Sequence, residues 1–337
     1  MGINEGESDM IDRLWARFPL AVLGAALAIL FHRLLVGDVL FWGLPALQFV
    51  PWRDFGFDLV RQGMLPLWNP LNGAGAPLLA NYQSALFYPL NWPGFVLPLA
   101  WTMSVAAVVH LFLAGWGMWR LTGQLGLPTL GRGVSALAFG MTGYLVARLG
   151  TYPTISAAAW LPWLVWAAIR VIVGGRRRDF AWLALFTALL LLTGHAQTAW
   201  YSLLLTGVVA LVWVLRHPAR RTRMPWLRLA FAAGAVLLGA GITSVQLVAT
   251  AELLGTSGRS DGVTYDYAAN FSYAPLRTLN WLAPNLFGTP ADGSYLTQGA
   301  YFEDAVYIGV IPLLGAITAV VAWLRRRRGP AYPALLV

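Results

Sequence analysis

The stretch GDVLFWGLPALQFVPWRDFGFDLVRQGMLPLWNPLNGAGAPLLANYQSALFYPLNW, residues 37 to 92, decides the fold by what it separates. Before it runs an apolar segment from about Trp15 to Val36, and after it another from about Phe95 to Trp119. Each reaches the ~20 residues that cross a bilayer as a helix. The stretch between them is too long and too rich in Pro, Asn, Gly and aromatic residues to be a spanning helix or a mere connector. Long loops of this kind usually carry function.

Composition extends the reading to the whole chain. Hydrophobic residues make up 58% and charged residues 11%, with a mean hydropathy of +0.62, whereas a soluble domain carries ~25% charged residues. Inside a bilayer every backbone polar group must be satisfied within the protein, which leaves helices for a chain with runs of this length. One all-α, polytopic membrane domain over residues 1–337 follows, rather than several soluble ones. A net charge of +9 would suggest nucleic acid in a soluble protein, but all 23 basic residues are Arg and most sit in short loops. That is a topological signal, and no nucleic-acid partner is expected. Cysteine is absent, which removes disulfides, thiolate chemistry and Cys-ligated metal. Arg13 and Arg17 lead straight into the first apolar run with no small-residue cleavage site, so the first segment reads as a retained anchor.

Taken in order, the acidic head from Met1 to Asp12 is expected to fray, and eight apolar segments follow. After the first two come about Val134 to Ala147, Thr154 to Val173, Phe180 to Leu192, a run to Leu215, Leu229 to Thr250, and Ala305 to Leu324. A second long polar-aromatic loop covers residues 251 to 304 and matches the first loop, 37 to 93. With the N-terminus cytoplasmic and all eight crossing, 17 of the 23 arginines fall on the inner side, including Arg176 to Arg178 and Arg325 to Arg328. Both long loops then face outside the plasma or inner membrane, with nine of the fourteen acidic residues. The third and fifth segments are short enough to be tilted, broken or re-entrant. The terminal AYPALLV looks like the start of another segment, so the chain reads as the front part of a longer protein.

Within the first loop, Pro51 suits a first helical turn and Gly63 a stop. Between them Trp52, Phe55 and Leu59 share one face, while Asp54, Asp58 and Arg61 share the other. This is the pattern of a short helix lying in the membrane interface. Beyond it Trp68, Asn69, Asn81, Gln83, Tyr88 and Asn91 mix rings with carboxamides. Rings cover the C–H faces of a sugar and amides bind its hydroxyls; an interfacial aromatic belt is the competing explanation for the rings alone.

The run LPLWNPLNGAGAPLLANYQSALFYPLN, preceded by GDVLFWGLPALQFVPWRD, resembles the first outer loop of the YfhO-type bacterial membrane proteins of the GT-C glycosyltransferase superfamily. GYLVARLGTYPTISAAAWLPWLVWA, TGHAQTAWY and EDAVYIGVIPLLGA look like later pieces of that family, extending the resemblance from about Gly37 to Ala316. Members are usually longer, and a C-terminal part is absent here. The resemblance implies a GT-C-like enzyme that takes a monosaccharide from a polyprenyl-phosphate carrier. The acceptor would be a cell-envelope glycan, teichoic-type polymer or glycolipid on the outer face. Its catalytic carboxylate would match Asp38, acting as general base; a cap or polar stop after the first helix is the plainer role for that residue. Asp54 is the second choice, against a solvated helix face shared with Asp58 and with Arg53 and Arg61 nearby. A phosphate leaving group calls for a basic residue at the outer boundary, and Arg33 and Arg148 are the candidates, against snorkelling arginines.

His195 and Gln197 in TGHAQT interrupt two apolar runs, where polar residues tend to be functional, although a lone histidine in a membrane is more often a hydrogen-bonded packing residue. His110, apolar on both sides, reads as packing. Glu303, beside Asp304 at the start of the last segment, is a candidate sugar or acceptor contact, or a helix-capping acid. No cofactor is implied with certainty. A divalent metal is compatible with the resemblance, since some members of the superfamily use one, but four scattered histidines offer no zinc spacing. No phosphate loop or dinucleotide fingerprint is present. A lipid-linked sugar flippase is the competing class, though it calls for polar groups at the midplane and repeated halves. A non-catalytic membrane subunit is the third.

Overall fold

The computed structural model describes residues 5–41, 43–258, 262, 264–269, 272–296 and 301–325. Arg326 to Arg328 and the AYPALLV end lie outside them. The described chain is mostly helical: α1 Glu5–Leu30, α2 Val50–Arg61, α3 Leu99–Gln124, α4 Thr129–Gly140, α5 Gly143–Val146, α6 Tyr152–Gly174, α7 Arg177–Leu192, α8 Ala196–Arg216, α9 Met224–Ile242, α10 Ser244–Gly255, α11 Tyr265–Ala269, α12 Tyr301–Asp304 and α13 Val310–Arg325. One two-residue pairing, Trp68–Asn69 against Ala76–Pro77, is antiparallel and sits in the first loop. Among the described residues, four helices are long and apolar enough to cross a membrane, namely α3, α6, α8 and α9.

The bundle is built around α6. It packs against α3, α7, α8 and α9 and is buried along almost its whole length. Its sequence explains this: Ala157 to Ala159 and Ala167 to Ala168 let neighbouring backbones approach, while Trp160, Trp163 and Trp166 fill the space between helices. The Trp163 indole donates to the Leu113 carbonyl of α3 at 2.9 Å. The α3–α4 contact uses the same device at i, i+4 spacing. Gly115 faces Ala136, and Gly140 faces Leu111 and Gly115, so closely that a Cβ on either glycine would meet backbone within 3 Å. Outward faces of α8 and α9 expose Leu204, Leu205, Val208, Leu237 and Leu238, apolar surface of the kind that lipid tails cover.

Hydrogen bonds sort the chain into two ends. At one end Trp101 donates to Leu34 O, Tyr152 to Leu40 O, Tyr82 to Leu191 O, Gln246 to Leu79 O and Arg148 to Phe302 O. Both long loops therefore fold onto the same end. At the other, Arg132 donates to Trp119 O, and Arg228 to Ile172 O and Val173 O.

Three expectations are corrected. The acidic head does not fray from Asp12, because α1 runs back to Glu5. The seventh segment is two helices, α9 and α10, parted at Thr243, whose hydroxyl turns back to the Gly239 and Ala240 carbonyls. The eighth starts at Val310 rather than Ala305, after Gly309 at φ +100°. α2 also shows which of its sides meets the protein. That helix packs down through Phe49, Arg53, Gly56 and Phe57, leaving Trp52, Phe55 and Leu59 only half-buried. Gly56 decides the rotation, since a Cβ there would stand 2.8 Å from Leu86. Phe57 completes the contact by stacking on Phe95 at 4.0 Å between ring centroids.

Candidate functional site

Two of the polar candidates, Arg148 and Glu303, meet at the loop end of the bundle, and a third, His195, lies within electrostatic reach of Arg148. Arg148 follows α5 and is 6% exposed. Its Nη2 lies 2.7 Å from Glu303 Oε2, its Nη1 donates to Phe302 O at 2.6 Å, and its guanidinium sits 3.9 Å from the Tyr144 ring centroid. Glu303 itself is half-exposed, at 48%. The neighbouring acid differs completely: Asp304 is buried, bonded to Arg277 at 3.0 Å and to the Tyr295 hydroxyl at 2.7 Å. Of the two acids, Asp304 holds the second loop together and Glu303 is the one open to a ligand.

His195 lies within electrostatic reach of Arg148. It caps α8, its Nδ1 accepting the Thr198 backbone N–H at 3.2 Å, which leaves Nε2 as the protonated nitrogen of the neutral ring. Burial first, and the Arg148 charge second, hold the imidazole below its ordinary range. At neutral pH it is an uncharged donor beside a cation. The first loop reaches this turn directly. Gly194, at φ +88°, lies against the Asn81–Ala85 segment so tightly that a Cβ would be 2.5 Å from Tyr82 O and 3.1 Å from Gln83 Cα. Tyr82 donates to Leu191 O at 2.5 Å, and burial pushes its phenol up to about 12. Asn81 caps its own turn by accepting from Gln83 N. The Gln83 side chain is exposed, as is that of Gln197, which donates to the Tyr201 hydroxyl at 3.2 Å.

Asp38 and Arg33 form an ion pair at 2.5 Å with side chains 45% and 77% exposed. Both side chains are open to solvent, so the protein itself does not desolvate the Asp38 carboxylate. Two residues further on, Leu40 O accepts from the Tyr152 hydroxyl at the start of α6, at 3.0 Å. Asp54 is exposed on α2 with no ion pair among the described residues.

Four members of the expected sugar pocket do other work; Asn91, for one, is buried and donates to Ala85 O at 2.9 Å. Tyr88 is 1% exposed and is the centre of a buried relay. His110 Nδ1 lies 2.5 Å from Ala106 O, a carbonyl that only accepts. The proton is therefore on Nδ1, and Nε2 accepts from the Tyr88 hydroxyl at 2.6 Å. Tyr88 in turn accepts from Trp160 Nε1 at 2.8 Å. Asn69, 5% exposed, accepts from Leu71 N at 2.9 Å and shapes the turn after the first strand. Trp68 is half-exposed but covers Gly75, where a Cβ would meet the indole at 2.5 Å.

Sequence reasoning missed Arg53. Expected near the solvated face, it is 2% exposed, donates from Nε to Ser84 O at 2.9 Å, and leaves Nη1 without a partner. Burial pushes it down to about 10. The signal was present in the i, i+4, i+7 and i+8 spacing of Phe49, Arg53, Gly56 and Phe57, which a charged residue disguised. Among the described residues no group of three His, Asp or Glu side chains gathers as a metal site. No protein-family model, no curated protein and no solved structure matches the chain.

Proposed function

We propose that this chain is a membrane glycosyltransferase with about eight crossings and its two long loops outside. It would move a monosaccharide from a polyprenyl-phosphate carrier to an envelope glycan or glycolipid. The observation that supports it most is the buried Arg148 guanidinium, held at the loop end with a half-exposed carboxylate, Glu303, and a neutral His195 beside it. A fixed cation with an uncharged donor suits a departing phosphate, whose charge grows as its bond to the sugar breaks.

In this reading the acceptor oxygen bonds to the anomeric carbon as its proton passes to the Asp38 carboxylate. The anomeric carbon–oxygen bond breaks on the opposite side, and its electron pair leaves with the phosphate. Arg148, with Arg33 at the rim, receives that charge, and Gln83 and Asn81 contact sugar hydroxyls. Asp54 and Gln197 lie on exposed faces and are secondary candidates.

The test is sugar transfer in proteoliposomes from undecaprenyl-phosphate-linked glucose and N-acetylglucosamine to a crude envelope acceptor. Asp38→Asn is expected to lower transfer by ~10²–10⁴-fold with donor binding retained, and Arg148→Gln by ~10²–10³-fold. Equal transfer by Asp38→Asn and the parent removes Asp38 from the mechanism. Donor equilibrating across the bilayer, with no transfer by any form, makes the chain a flippase.

A further inference from the structure

The end of the bundle away from the loops carries a second polar feature, independent of the glycosyltransferase reading. We propose that Arg120, Arg132 and Arg170 form a binding site there for a phosphate-bearing anion, supplied either as a phospholipid headgroup or as free phosphate. The three arginines come from the last turns of α3 and α6 and the first turn of α4, and line a cavity of ≈ 280 Å³ together with Trp119, Trp166 and Gln124. That volume lies just below the ~300–1,000 Å³ of pockets for drug-sized ligands, the size for a small anion or headgroup.

The guanidiniums are arranged unlike anchors that splay into the headgroup region. Arg120 and Arg170 both lie 4.9 Å from the Trp166 ring centroid, and Arg132 lies 3.6 Å from that of Trp119. Planar cations placed over rings can still offer N–H groups to oxygen acceptors; here Arg132 and Arg170 use Nε on Trp119 O and Asp179, which leaves Arg120 and the Nη groups of the other two for an anion. Gathering them has a cost, because Arg120 feels the charge of Arg170, and Arg132 that of Arg120. One carboxylate offsets this: Asp179 binds Arg170 at 2.7 Å and is also 3.9 Å from Arg178. Among the described residues Arg120 and Arg132 have no carboxylate partner. The indole N–H of Trp119, at the cavity wall, is also buried without an acceptor. Converged cations, unmatched donors and a cavity between them are what a phosphate oxyanion satisfies.

Gly123 fixes the geometry. A Cβ there would come within 2.8 Å of the Arg132 guanidinium, so Arg132 lies flat on the α3 backbone only because the side chain is absent. The purified protein in detergent is titrated with phosphatidylglycerol, with phosphatidylcholine and with inorganic phosphate. Bound lipid is counted by native mass spectrometry, and phosphate is followed by thermal shift. The expected result is at least threefold more phosphatidylglycerol than phosphatidylcholine bound, reduced to parity in R120Q/R132Q and unchanged in R216Q, an exposed arginine at the same end. G123A, which keeps every charge but displaces the tip of Arg132, is expected to lose the preference partly and guards against misfolding of the double variant. A thermal shift by inorganic phosphate that vanishes in R120Q/R132Q identifies free phosphate as the source, and a phosphatidylglycerol preference without that shift identifies the lipid. Equal binding of both lipids with no phosphate shift, or a preference that survives both R120Q/R132Q and G123A, overturns the site.

Discussion

At the scale of single residues, the polar groups divide by whether another protein group already satisfies them. Tyr88 looks in sequence like a ring for a sugar, yet it joins Trp160 to His110. Tyr88→Phe keeps the ring and strands a buried acceptor on His110 and a buried donor on Trp160, a loss of about 1–3 kcal/mol. Denaturation in detergent measures it; unchanged stability would mean the relay contributes nothing. His195 gives a pH dependence of known sign. Its folded value is lowered, whereas in the unfolded chain it titrates near 6.5. The unfolded state therefore binds more protons as pH falls through 6.5 toward the folded value. Stability is full above that window and is lost on descending through it. His195→Asn keeps a capping acceptor without the titration, so its melting temperature is expected to fall less than the parent's between pH 7 and pH 5. Parallel curves would refute the assignment. Sequence alone exposed His195 because a polar residue between apolar runs stands out. It hid Arg53, because burial of a charge depends on which face of α2 turns inward.

At the scale of elements, runs of apolar residues placed a helix in each of the eight segments, with the third divided into α4 and α5 and the seventh into α9 and α10, and small residues settled how they meet. The side of α2 that meets the protein was hidden, because it carries Arg53 and is set by the space Gly56 leaves for Leu86. The break after α9 was equally hidden, for Thr243 carries no signal as strong as proline. Gly194 is where the element scale bears on the site. Its left-handed φ costs a residue with a Cβ about 1–2 kcal/mol, and the Cβ of Gly194→Ala would press on Tyr82 O and Gln83 Cα, backbone that cannot rotate away. The Asn81–Ala85 turn is expected to lift from the His195 turn. Limited proteolysis within residues 64 to 83 is expected to quicken and the melting temperature to drop, while a cleavage rate equal to the parent's would show that the two turns do not depend on each other.

At the scale of the whole molecule, the question is how many of these helices cross. Arginine distribution argues for eight crossings, and length and hydropathy alone establish four candidates. The packing favours the larger number, because α7, though only sixteen residues long, returns the chain from the Arg176 end to the Tyr82 end. The two counts disagree at one accessible place. If all segments cross, Ala74 and Ala291 in the long loops lie outside, and Arg177 and Arg221 inside. If only α3, α6, α8 and α9 cross, α1, α4, α7 and α13 drop out of the alternation, and Arg177 falls on the same side as Ala74 and Ala291, opposite Arg221. All four residues are exposed, and the chain has no cysteine to give background. Single substitutions Ala74→Cys, Arg177→Cys, Arg221→Cys and Ala291→Cys can therefore be probed in intact cells with a membrane-impermeant maleimide. Labelling of Ala74→Cys and Ala291→Cys alone, with the other two reacting only after permeabilisation, is the expected pattern. Labelling of Arg177→Cys in intact cells would reduce the crossings to the four long helices. It would also set α7 and the His195 turn on a surface helix, and with them undo the shared outer site of Arg148, His195 and Glu303.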